Sequence, residues 1–181
     1  MNTATFFTVL RVLAIPVFIT IYYSNIPGSN LIAAIIFTLA CITDWLDGYL
    51  ARKLNQCTDF GAFLDPVADK LLITATLVML AANYSSPWFV IPAAIMVARE
   101  VLISALREWM STSNQRDIVA VGFIGKVKTA TQMLAIIALL AANPSIKDFL
   151  LITGYVLIYI SAILTLWSMY SYLKRAWPML R

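Results

Sequence analysis

Leu31-Ile-Ala-Ala-Ile-Ile-Phe-Thr-Leu-Ala-Cys-Ile-Thr43 is a mostly apolar run that passes without a break into Asp44-Trp-Leu-Asp47-Gly48-Tyr-Leu-Ala51-Arg52. A second segment, Gly61-Ala-Phe-Leu-Asp65-Pro-Val-Ala-Asp69, follows shortly after. Together they describe an apolar helix long enough to enter a bilayer, with carboxylates at its far end and a matching pair on the next helix. Ionisable groups beside hydrocarbon are costly, so a cluster of them in a membrane segment points to a functional site. At about 100° per residue, Asp44, Asp47, Gly48 and Ala51 fall on one helical face. Asp65 and Asp69 share a face of the following helix, with Gly61 one turn earlier. Four converging carboxylates repel unless cations hold them together.

Composition agrees with a membrane setting. The chain has 181 residues, of which 61% are hydrophobic and 12% charged, and its mean hydropathy is +0.84. These values exclude an ordinary soluble domain and indicate a polytopic membrane protein. The length suits one domain over residues 1–181, with no room for a soluble module beside the spans. The two cysteines, Cys41 and Cys57, have no CxxC spacing and read as small packing residues. The chain has no histidine. That removes Ser–His triads, HExxH zinc sites and any imidazole base, leaving Asp, Glu, Lys or Tyr for proton transfer.

Six stretches are long and apolar enough to cross a bilayer, at approximately 5–23, 31–51, 66–83, 87–109, 122–142 and 149–173. The expected fold is therefore all-α, a polytopic bundle of six transmembrane helices. Turn-rich breaks at 24–30, 83–87 and 143–148 hold a single basic residue, Lys147. The opposite side collects Arg52, Lys53, Arg107, Arg116, Lys126, Lys128, Lys174, Arg175 and Arg181. The positive-inside rule then puts both termini, and both carboxylate pairs, on the cytoplasmic side. The first span has too little flanking positive charge to read as a signal peptide. Five tryptophans lie mostly near span ends, as interfacial residues do.

Mg²⁺ and Mn²⁺ take oxygen ligands and commonly bind carboxylates together with substrate phosphates. Two such ions roughly 3.5–4 Å apart can clamp the attacking and leaving oxygens of a phosphoryl displacement. Gly48 and Gly61 leave room for a ligand against a helix backbone, and Arg52 can meet a phosphate with a planar fork of donors. The plainer alternative is that the aspartates form buried ion pairs with Arg52, Lys53 and Lys70.

The full pattern DxxDGxxAR, eight residues, then GxxxDxxxD resembles the signature of the CDP-alcohol phosphatidyltransferases, and here it runs from Asp44 to Asp69 with no departure. The resemblance implies a six-helix enzyme of the bacterial inner membrane, with its active site at the cytoplasmic end of the bundle. It implies two metal ions held by Asp44, Asp47, Asp65 and Asp69, with Asp69 as the base for the attacking hydroxyl. It implies a cytidine diphosphate site lined by Gly48, Ala51, Arg52 and Gly61, and it suggests a homodimer. Asp65-Pro-Val-Ala-Asp-Lys70, Ala98–Trp109 and Gly125-Lys-Val-Lys-Thr-Ala-Thr-Gln-Met133 look like bacterial members that transfer a phosphatidyl group from CDP-diacylglycerol to glycerol 3-phosphate. The likeness extends to the Arg11–Pro16 start, read as helix packing, while Asn2-Thr-Ala-Thr5 departs from the Asn-x-Pro-Asn-like lead-in of similar enzymes.

An acceptor with its own phosphate needs cations beyond those that hold the diphosphate. Arg99 and Arg107, about 12 Å apart along a helix, and Lys126 at the start of the fifth span are the candidates. Lys128, Lys174, Arg175 and Arg181 read instead as anchors to anionic headgroups, and Glu100 and Glu108 as groups that orient their neighbouring arginines. Expected partners are the two substrates and membrane lipids, with no nucleic acid. Alternative acceptors are serine, inositol phosphate or phosphatidylglycerol. A cation transporter is the rival class, but transport favours acids near the midplane, between broken helices.

Overall fold

The computed structural model describes residues 3–24, 26–54, 59–112, 123–142 and 149–177, excluding the side chains at 3–8, 44–54, 59–63, 65–66, 111–112 and 123–124. Among the described residues, six helices make up the regular structure. They are α1 (Thr3–Tyr22), α2 (Ser29–Leu54), α3 (Asp59–Tyr84), α4 (Pro87–Thr112), α5 (Phe123–Ala141) and α6 (Phe149–Ala176). Each matches one expected apolar stretch. The largest difference is α3, which starts at Asp59 rather than near residue 66. Gly61, Asp65 and Asp69 therefore lie along the first three turns of a formed helix, not at its mouth. An acidic residue at position 59, in the first turn, complements the positive N-terminal end of the helix dipole.

Among the described residues, three helices contain segments long and apolar enough to cross a membrane, Val67–Tyr84, Pro87–Met110 and Phe149–Ala176, and Val9–Tyr22 and Ser29–Thr43 are shorter apolar stretches. In α2 the apolar part ends where the carboxylates begin, so the charged turns extend the same helix beyond it.

Successive helices run antiparallel. α1 packs on α2 and α3, α2 on α5, α5 on α6, α6 on α4, and α3 on α4 and α5. At the end remote from the carboxylate motif, side chains tie the helices through amides and carbonyls that helix ends leave over. Asn83 Nδ2 donates to the Tyr22 hydroxyl at 2.8 Å, Tyr84 donates to the Leu139 carbonyl at 2.8 Å, and Asn30 Nδ2 reaches the Ala142 carbonyl at 3.3 Å. Above this belt lies the main apolar core, which includes Phe18, Phe37, Leu77, Phe89, Met96, Ile136 and Ile158. α5 and α6 approach closely at Gly154, where a Cβ would stand 2.5 Å from Leu139 Cγ. A separate, smaller apolar cluster, Ile103, Met110, Tyr172 and Ala176, sits at the motif end of α4 and α6.

Hydroxyls inside the apolar helices are largely satisfied by their own backbone. Thr38 and Thr76 donate to Ala34 and Leu72 carbonyls, each at 2.7 Å. One backbone gap is closed from another helix. Pro92 lies inside α4 and has no N–H for the carbonyl four residues earlier, that of Trp88. Tyr159 of α6 donates its hydroxyl to that carbonyl at 2.8 Å.

Tyr159→Phe removes the donor and should lower stability by about 1 kcal/mol. The loss should shrink once Pro92→Ala restores the backbone amide that can serve the Trp88 carbonyl. Thermal unfolding of the four variants of this cycle in detergent micelles measures the coupling. Equal losses in both backgrounds would disconnect the tyrosine from the proline gap.

Candidate active site

The carboxylate motif occupies the adjoining ends of α2 and α3. Asp44, Asp47, Gly48, Ala51 and Arg52 have helical backbone in α2, and Gly61 and Asp65 in α3. The side chains of these seven residues lie outside the described residues. Asp69 is described and is partly buried on α3. The donor set consists of carboxylates, with no imidazole in the chain. That chemistry suits hard divalent cations.

Across the bundle, one turn of α4 faces α5 and α6 with charge. Arg99 is 6% exposed. Its Nη1 donates to Glu100 Oε1 at 3.0 Å and its Nη2 to Ser168 Oγ at 3.0 Å. Ser168 in turn donates to the Thr165 carbonyl at 3.0 Å. The same Glu100 oxygen takes a charge-assisted hydrogen bond from Lys128 Nζ of α5, and Lys128 is 1% exposed. Lys128 also lies within the electrostatic reach of Asp69 on α3. This is the described link between the acidic motif and the cationic half of the site.

Further along α4, Arg107 converges on the same region. The guanidinium carbons of Arg99 and Arg107 stand 5.8 and 5.6 Å from the ring centroid of one residue, Tyr172 of α6. Arg99 Nε and Arg107 Nε are both buried with no hydrogen-bond partner among the described residues. Buried guanidinium donors without acceptors are costly. An arriving anion with several acceptor oxygens resolves that cost, and phosphate is such an anion.

Lys126, expected beside these arginines, is exposed. Two residues along a helix turn it by about 200°, so one lysine of the Lys126–Lys128 pair must face away when the other faces in. Lys128, expected as a headgroup anchor, is the buried one. Lys174 and Arg175 are exposed, as an anchoring role requires. Arg11, read from the sequence as part of a packing segment, is 3% exposed. It belongs to α1, whose neighbours α2 and α3 carry all four motif aspartates. A lone arginine in an apolar stretch was the signal for it. Ser168 and Tyr172 had no comparable signal, since small polar and aromatic residues are routine on packed helices.

The carboxylate motif is carried by two successive helices, α2 and α3, of an all-α bundle that also holds a buried cationic layer. The model of the CDP-alcohol phosphatidyltransferase family matches residues 1–167, and the chain belongs to that family. It is 49% identical over 175 residues to the CDP-diacylglycerol–glycerol-3-phosphate 3-phosphatidyltransferase of Escherichia coli (strain K12), covering 97% of this chain and 94% of that protein. The protein of the same description from Shigella flexneri serotype 5b (strain 8401) gives the same 49% over 175 residues, covering 97% and 94%. That from Yersinia pestis (strain Pestoides F) is 46% identical over 177 residues, covering 98% and 96%.

The Glu100–Lys128 pair joins α4 to α5 from a buried position. Removing the Glu100 charge strands Lys128, which costs roughly 3 kcal/mol or more, whereas removing Lys128 leaves Glu100 its Arg99 partner. Glu100→Gln should therefore lower the unfolding temperature clearly, and adding Lys128→Met should restore part of it. Thermal unfolding in micelles distinguishes this from a solvated pair, for which both single variants would be nearly silent.

Proposed function

We propose that the protein transfers a phosphatidyl group from CDP-diacylglycerol to glycerol 3-phosphate, giving phosphatidylglycerophosphate and CMP. The observation that carries the reading is the largely buried cluster of Arg99, Arg107 and Lys128, in which Arg99 Nε and Arg107 Nε have no hydrogen-bond partner among the described residues, in a chain that carries the family motif. Glycerol offers such a cluster no anion and serine only one carboxylate beside its own ammonium, whereas a phosphate has oxygens for several donors. The names of the similar proteins from E. coli, Shigella and Yersinia specify the same two substrates.

In this reading Asp44, Asp47, Asp65 and Asp69 hold two Mg²⁺ or Mn²⁺ ions, which would neutralise the diphosphate and acidify the attacking hydroxyl. Gly48, Ala51, Arg52 and Gly61 seat the cytidine diphosphate. Arg99 and Arg107 grip the acceptor's phosphate and thereby aim its free primary hydroxyl at the phosphorus that bears the diacylglycerol. The new P–O bond forms from that hydroxyl as the bond to CMP breaks. CMP departs with the bonding pair, and an Asp69 carboxylate oxygen takes the hydroxyl proton. Free carboxylates are weak bases, with a reference pKa near 3.9. Acidification of the alcohol must therefore supply most of the driving force.

The setting follows from charge and length. The six helices have 19 to 28 residues, close to or above the roughly 20 that cross a hydrocarbon core about 30 Å thick at ~1.5 Å per residue. Lys126, Lys174 and Arg175 are exposed at the motif end. This supports a single six-span domain in a bacterial inner membrane, with both termini and the site on the cytoplasmic side. Acyl chains can then stay in lipid while the headgroups react at the interface.

Turnover should require Mg²⁺ or Mn²⁺ and stop in chelator. Asp→Asn at 44, 47 or 65 should lower it by orders of magnitude, and Asp69→Asn should keep CDP-diacylglycerol binding while losing nearly all turnover. CMP release measured with purified protein, and binding of the lipid nucleotide measured separately, test this. Full activity in chelator, or Asp69→Asn within tenfold of the parent, contradicts it.

Arg99→Ala and Arg107→Ala should chiefly raise KM for glycerol 3-phosphate, by about ten- to a hundredfold for a charge-assisted contact of roughly 1.5–3 kcal/mol. KM for CDP-diacylglycerol should move much less. An acceptor panel containing glycerol, serine and inositol phosphate provides the control. Comparable turnover with glycerol would remove the phosphate from recognition.

A further inference from the structure

The site reading needs two arginines, eight residues apart on α4, to present their donors to one phosphate. Their attachment points are about 12 Å apart along the helix axis, and like charges resist being brought together. From the contact geometry we infer that Tyr172 is the positioning residue that gathers them. Its ring, not a carboxylate, is the group both guanidiniums reach, at 5.8 Å for Arg99 and 5.6 Å for Arg107. Both distances lie inside the range of about 6 Å over which an aromatic face attracts a cation.

The choice of a ring has a chemical consequence. A carboxylate partner would neutralise the guanidinium and occupy its N–H groups in a planar fork. A ring face attracts the cation through its quadrupole and leaves the in-plane N–H groups unused. Arg99 Nε and Arg107 Nε are indeed without partners among the described residues. Tyr172 therefore gathers both cations without consuming a donor: Arg99 spends Nη1 on Glu100 and Nη2 on Ser168, and the Nε of each arginine is left over for a phosphate oxygen. The ring is itself fixed, since Tyr172 packs into the apolar cluster with Ile103, Met110 and Ala176. Ser168, one turn earlier on α6, takes one Arg99 donor and sets the rotation of that guanidinium. The hydroxyl of Tyr172 plays no part in this, so phenylalanine should serve nearly as well.

This inference rests on Arg99 and Arg107 binding the acceptor phosphate, and the test separates the two. Initial rates are measured on the purified full-length protein in mixed micelles, varying each substrate in turn. Tyr172→Phe should leave KM for glycerol 3-phosphate within about twofold. Tyr172→Leu should raise it roughly five- to thirtyfold, the range expected from about 1–2 kcal/mol of lost cation–ring attraction, with kcat and KM for CDP-diacylglycerol little changed. Should the leucine variant not fold, successively fluorinated phenylalanines at 172 keep the shape and drain the ring's negative face. KM for the acceptor should then climb stepwise with fluorine number. If Arg107→Ala raises that KM but neither Tyr172→Leu nor fluorination does, the positioning role is overturned and the phosphate site stands. If both KM values rise together, Tyr172 is merely structural and the inference fails. If Arg99→Ala and Arg107→Ala leave acceptor KM unchanged, the site reading itself fails, and this inference with it.

Discussion

The interaction on which the rest depends is the burial of several cations, with Glu100 tying two of them, between two apolar clusters. On α4, Met96 belongs to the main core, Arg99 and Glu100 follow it, and Ile103 begins the second cluster. On α6, Ser161, Thr165 and Ser168 are buried between Ile158 and Tyr172. The bundle thus has a polar layer with hydrocarbon on either side. Such a layer is stable only when its charges are paired or fully hydrogen-bonded. Glu100 meets most of that demand by joining Arg99 to Lys128. What it leaves over, the buried Nε groups of Arg99 and Arg107, is the basis for the proposed phosphate site.

Under the proposed function, this arrangement divides the labour of a two-substrate reaction between two parts of the bundle. The carboxylate motif is confined to α2 and α3, where hard cations and a diphosphate belong. The cationic layer is built by α4, α5 and α6, where an anionic acceptor belongs. Lys128 stands between them, paired with Glu100 and within reach of the Asp69 charge. The apolar core at the other end contributes rigidity, through close contacts such as that of Gly154 with Leu139 and the cross-helix bond from Tyr159 to the Trp88 carbonyl.

Much of this was legible in the chain. The helix count and approximate boundaries followed from apolar runs and turn-rich breaks, because backbone in hydrocarbon has few alternatives to helix. The family followed from the motif between Asp44 and Asp69, whose spacing repeats with the helical turn. The start of α3 was misplaced because residues 59–65 are mixed in polarity, and a helix that continues past the apolar span leaves no hydropathy signal. Lys126 was expected beside the arginines and Lys128 among the headgroups, and the structure leaves Lys126 exposed and buries Lys128. Both flank the same span, and only the rotation of α5 in the bundle separates them.

Period-dependent properties were therefore set by the sequence alone: six helices, their antiparallel order, the side on which charge gathers, and the carboxylates that share a face. Each depends on neighbours within a turn or two, or on solvent preference along one segment. Pairings between distant segments were decided by tertiary structure: Glu100 with Lys128, Arg99 with Ser168, both arginines with Tyr172, and Arg11 buried on α1 beside α2 and α3. A helix presents several faces of similar character in a largely apolar chain. Which face meets which neighbour depends on how all six pack at once, and no local pattern carries that information.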